Sequence, residues 1–172
     1  MTTPLIMLGL LFAPLLVNSL GSVLAGRRWL HPRTAGCLGV TLVFCFTGVC
    51  HFVQTEPMAA MLPPWVPERV GLVYLSGVLE FVLAAFILVP RWRRTIGIIL
   101  IVMLIAFLPV NIYAAVNRVG MGGHEWGLPY LLIRVPLQFI LIGWSWCFAV
   151  RGGDHQPRQS QSNNSSADRT GV

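Results

Sequence analysis

One carboxylate, Glu80, stands near the middle of an apolar run over residues 71–90 that is long enough to cross a bilayer. An ionised side chain at that depth costs roughly 2.5–3.5 kcal/mol on insertion scales, so Glu80 is a candidate functional residue in need of a partner. Four more polar side chains sit within other apolar runs: His51, Asn111, Arg134 and Gln138. A set of these types can hold a proton, bind a polar head group, or pair internally and fix helix register. It is not a metal set. Cys37, Cys45, Cys50 and Cys147 contain no CxxC pair, and no Cys/His spacing suits zinc. Cys45 and Cys50 would point about 140° apart on a helix, so they are expected to be small packing residues. The chemistry expected is that of a polar intramembrane cluster with no metal, no dithiol and no independent catalysis.

The elements that must position this cluster are membrane spans. The chain has 172 residues, is 55% hydrophobic and only 10% charged, against about 25% charged in soluble domains. Apolar runs cover residues 4–25, 35–54, 71–90, 95–117 and 128–150. The expected fold is all-α, with five transmembrane helices. The first is expected to be retained, because no basic segment precedes it and it exceeds the apolar core of a signal peptide. Pro32 is expected to break any helix. Pro57, Pro63, Pro64 and Pro67 are expected to exclude a regular helix over residues 55–69. That stretch, with Pro63, Pro64 and Trp65, reads as an interfacial loop over the cluster, Trp65 lying at head-group level. Pro109 should kink the fourth span. Residues 120–127 form a glycine-rich loop, and the polar tail from residue 151 should be disordered. The expected organisation is residues 1–34 as the first span with its basic loop, 35–150 as the remaining four spans, and 151–172 as the tail.

All twelve basic residues are arginines. In a five-span arrangement nine fall on one side (27, 28, 33, 91, 93, 94, 151, 158 and 169) and two on the other (69 and 118). The positive-inside rule then puts the N-terminus outside and the tail in the cytoplasm, in what is expected to be a bacterial plasma membrane. The short arginine clusters between apolar runs do not form a solvated basic patch, so nucleic acid is excluded as a partner. In this orientation all five polar residues lie in the outer half of the bilayer. Glu80 is about 15 Å and Arg134 about 9 Å from the outer ends of their helices. A long arginine side chain covers the difference, so a Glu80–Arg134 ion pair is expected. Other roles stay open. Arg134 can snorkel outward, His51 can bond at the interface, and Asn111 can satisfy carbonyls freed by Pro109. Ser76 and Glu80 share a face, as do Arg134 and Gln138. Gly77, Ala84 and Ala85 are small enough to let a helix approach Glu80 closely.

Several strings occur in the order found in DoxX-like membrane proteins. Residues 46–52, Phe-Thr-Gly-Val-Cys-His-Phe, resemble that family's F-T-G-x-x-H-F segment. The proline-rich stretch 61–67, the Glu80 helix at 74–80, the basic turn 88–94, the Pro109–Asn111 segment 107–114 and the Arg134–Gln138 segment 134–138 are similar in sequence. The resemblance covers about residues 35–150 and implies a DoxX-like four-helix bundle, with the first span added. It also implies association with membrane oxidoreductase assemblies. On that basis the leading expectation is an accessory subunit of a quinone-linked redox assembly, with a quinone head group at the cluster and an oxidoreductase as partner. A structural or chaperone-like membrane protein is the alternative, as is a proton-coupled small-molecule transporter in which Glu80 titrates. The absence of an inverted repeat means a transport pathway would need a homo-oligomer.

Overall fold

The computed structural model describes residues 2–24, 26, 29–119 and 126–151. Among them every regular element is helical: α1 (Thr2–Leu24), α2 (Pro32–Val53), α3 (Thr55–Ala60), α4 (Arg69–Phe86), α5 (Arg93–Val116) and α6 (Leu128–Ser145), which passes into a π-helical turn over Trp146–Val150. Five helices, α6 with its π turn counted as one, are long and apolar enough to cross a membrane. Their outward faces carry large apolar side chains: Leu16 and Leu20 on α1, Leu75 on α4, Val102 on α5, Leu132 and Phe139 on α6. Such a surface is matched to hydrocarbon. His124 and Glu125 of the glycine-rich loop, and the tail beyond Arg151, lie outside the described residues.

α2 is the central helix. It packs along α1 and α4, and α5 packs along α6. The core runs through Met7 and Leu11 of α1, Val40, Val43 and Phe44 of α2, Leu83 and Ala84 of α4, Leu100 and Leu104 of α5, and Leu137 and Leu141 of α6. Gly39 sits against the Leu11 carbonyl, where a Cβ would collide with backbone. That contact lets α1 lie directly on α2. Asn18, in the first apolar run, ties α1 to the loop that follows. Its amide donates to the Leu30 carbonyl and accepts from the Leu30 N–H, both at 2.9 Å.

Two expectations about proline are corrected. Pro32 does not break a helix but begins one, with His31 as N-cap accepting from the Arg33 N–H. Residues 55–69 are not wholly irregular, since α3 forms with Pro57 in its first turn. The reason is the same in both places. First-turn N–H groups have no intrahelical acceptor, so a proline there loses no bond.

One end of the bundle is closed by two arginines counted in the sequence only as charge. Arg93 is buried and donates to the carbonyls of Ile87 and Leu88 at 3.2 and 3.3 Å, capping the end of α4. Arg33 does the same for the end of α6, donating to Phe148 and Ala149 at 3.0 and 3.1 Å. A cation over the negative end of a helix dipole is favourable, and more so where water is scarce.

Candidate functional site

The opposite end of the bundle is hollow. A cavity of about 560 Å³ runs from the α3 segment toward mid-bundle and touches all five spans. Its walls are mostly apolar, and His51, Glu80, Asn111, Arg134 and Gln138 all line it. The interfacial trio is not part of it. Met58, Met61 and Leu62 line the cavity instead, while Trp65 is 81% exposed.

Glu80 is 3% exposed, and its partner is His51, not Arg134. His51 Nε2 lies 3.4 Å from Glu80 Oε1. The expected Glu80–Arg134 pair is therefore corrected, and topology supplies the reason: α4 packs chiefly on α2, which carries His51. Gly77 makes the approach feasible, since a Cβ there would come within 2.7 Å of His51 Cβ. The other ring nitrogen, Nδ1, lies 3.1 Å from the Val73 carbonyl and 3.0 Å from Ser76 Oγ. Ser76 donates its own proton to Val73 at 2.9 Å. A carbonyl can only accept, so Nδ1 donates to Val73 when it carries the ring proton and accepts from the Ser76 hydroxyl when it does not. Among the described residues His51 is the group at ion-pair distance from Glu80. The second oxygen of Glu80 has no hydrogen-bond partner among the described residues.

Arg134 is half-buried. Its Nε donates to Asn111 Oδ1 at 3.3 Å and its Nη1 to the Met7 sulfur at 3.7 Å. Asn111 is fixed in turn, its Nδ2 donating to the Phe107 carbonyl at 3.0 Å. Phe107 is not the carbonyl that Pro109 frees, which belongs to Ile105 four residues back. Asn111 thus orients Arg134 and does not satisfy the carbonyl that Pro109 leaves open. Gln138 donates to the Leu104 carbonyl, joining α6 to α5, and its own Oε1 has no partner among the described residues. Asn111 and Gln138 each stand two residues after an in-helix proline, Pro109 and Pro136.

The cavity reaches the outside of the bundle along α4. Leu72, Leu75 and Leu79 line it and are also exposed, Leu75 by 65%. Across from them, α5 contributes Phe107 and Val110, and α4 and α5 touch only sparsely. Ser76 was seen in sequence only as a residue on the Glu80 face. Its part in holding His51 becomes visible with the register of α2 against α4. The Met7 contact to Arg134 gave no sequence signal.

A family described as a domain of unknown function (DUF8561) matches residues 40–149, more than half of the chain. The chain belongs to this family. The DUF8561 region contains all five cluster residues and begins within α2, so α1 lies before it. The resemblance to DoxX-like proteins is overturned, for the matching family is DUF8561 and no DoxX family matches. Its short strings belong to the common grammar of small helical membrane bundles. Glycine serves close packing, proline sits at loops, and arginine sits at helix ends. Neither a curated protein nor a solved structure matches the chain.

Proposed function

We propose that this protein is an integral membrane binding protein. It admits a membrane-dissolved amphiphile between α4 and α5 and holds its polar head at the His51–Glu80–Asn111–Arg134–Gln138 cluster. The observation that carries this is a cavity with apolar walls and a polar end, lined on one side by leucines that also face outward. Its size, about 560 Å³, is within the ordinary range of small-ligand sites. A ligand entering from water would not need an apolar side opening, whereas one dissolved in hydrocarbon would. The arginine distribution supports a plasma-membrane placement with the cavity in the outer leaflet and the arginine-capped end inward. The role is accessory. The protein presents its ligand to a partner in the same membrane, which is an oxidoreductase where the ligand is a quinone.

Purification in mild detergent followed by lipid extraction and mass spectrometry tests the proposal. A lipophilic molecule should be retained at close to one per chain. Leu79→Trp, which narrows the side opening, should lower the retained amount without lowering the melting temperature. A protein that retains nothing, and binds no added amphiphile in nanodiscs, is not a binding protein of this kind.

A further inference from the structure

We infer that the bound amphiphile carries an anionic head group, a carboxylate or phosphate, that seats on Arg134. This rests on the binding role proposed above and names its ligand class.

Charge balance in the cavity leads there. Glu80 is the one carboxylate among the lining residues, and it is matched by His51. His51, and not Arg134, stands at ion-pair distance from Glu80. Arg134 is a full positive charge held by neutral groups. Its acceptors, the Asn111 amide oxygen and the Met7 sulfur, are both neutral. No carboxylate lies within ion-pair distance of it among the described residues. A guanidinium held at membrane depth by neutral groups is unfavourable unless an anion joins it. The geometry also suits one. Asn111 is pinned by the Phe107 carbonyl and holds the guanidinium at the cavity wall, where its fork matches the paired oxygens of a carboxylate or phosphate. Val43, Leu104, Leu137 and Leu141 continue the cavity as an apolar channel for the chain attached to that head.

Two sources share this chemistry: a fatty acid and a single-chain phospholipid. The full chain in phosphatidylcholine nanodiscs is titrated at alkaline pH with palmitate, palmitoyl lysophosphatidate, hexadecanol and a short-chain ubiquinone. At least one anion should bind about tenfold or more tightly than hexadecanol, the gain expected of charge-assisted hydrogen bonds. The tighter of the two anions names the source. In Arg134→Gln that preference should fall to near unity, the anions losing more affinity than hexadecanol. Arg134→Lys, which keeps the charge without the fork, should retain part of it. The comparison among ligands on the unaltered protein needs no variant to fold. Hexadecanol or the ubiquinone binding as tightly as both anions would overturn the anion inference and leave the binding role standing. Binding of none of the four would overturn both.

Discussion

The His51–Glu80 contact makes a quantitative prediction. At 3.4 Å, two full charges in surroundings of effective dielectric constant near 20 attract by about 5 kcal/mol, before desolvation is subtracted. If the proton is instead on Glu80, the contact is a neutral hydrogen bond contributing about 0.5–1.5 kcal/mol net. Glu80 is 3% exposed, so loss of its partner leaves a buried acceptor. Single replacements, His51→Leu and Glu80→Gln, should each destabilise the protein, by up to about 3–5 kcal/mol if they strand a buried charge. The double variant should be less damaging than the sum, with a coupling of about 0.5–3 kcal/mol. A coupling near the top of that range places the proton on the ring, and one near the bottom places it on the carboxyl. Thermal unfolding in detergent, run as a double-mutant cycle, is the assay, with Arg134→Gln in a second cycle against Glu80→Gln. The His51–Glu80 coupling should exceed the Arg134–Glu80 coupling. The reverse order would restore the arginine as the partner of Glu80 and remove the charge argument built on their separation.

Three further predictions concern packing, capping and topology. Gly77→Ala puts a Cβ 2.7 Å from His51 Cβ and 2.9 Å from the Phe52 ring. Overpacking of about 1–3 kcal/mol should outweigh the roughly 1 kcal/mol that alanine gains over glycine in a helix. Gly143→Ala, with nothing within 4 Å of the new methyl, should not lower the melting temperature, and equal effects at the two sites would mean that α2 and α4 are not so close. Arg93→Met should destabilise by about 1.5–3 kcal/mol through loss of charged hydrogen bonds to the end of α4, whereas Arg94→Met, on an exposed residue, should stay within about 0.5 kcal/mol. Reporter fusions after Gly120 and after Gly152 should fall on opposite sides of the membrane, and the same side for both would refute the five-span path.

Much of the fold was legible because hydrocarbon imposes simple rules. The five apolar runs match α1, α2, α4, α5 and the α6 segment to within a few residues. Depth was legible too, since a rise of about 1.5 Å per residue placed His51, Glu80, Asn111, Arg134 and Gln138 at similar heights, and all five line one cavity. Lateral adjacency was not. Height along a helix says nothing of which helix stands beside it. Arg134 and Glu80 looked like partners because their depths agreed, yet His51 stands across from Glu80 because α2 is the neighbour of α4. Arg93 shows a related limit. A basic cluster reads as topology, but one of its members is buried as a helix cap. Prolines misled for a third reason. Pro32 and Pro57 are breakers only past the first turn, and the start of a helix is among the least legible boundaries in a sequence.

The two ends of the bundle are built to opposite specifications, and the contrast bears on function. At the arginine end, the helices are drawn together. Gly36 lies under the Phe148 ring, Gly97 under Ala149, and Trp144 donates to the Gly36 carbonyl at 3.0 Å. At the other end, α5 and α6 each carry a proline, and the amide two residues on is used to hold the helices in place. Asn111 fixes Arg134, and Gln138 bonds across to Leu104. A bundle seeking only stability would fill that space with aliphatic side chains, which are as good as or better than buried ions in this respect. Here polar groups line an open space, and Gln138 Oε1 and Glu80 Oε2 are left without partners among the described residues. Buried acceptors left in this state cost free energy. A rigid closed end allows the open end to keep such groups without collapse, which is the arrangement a binding site requires.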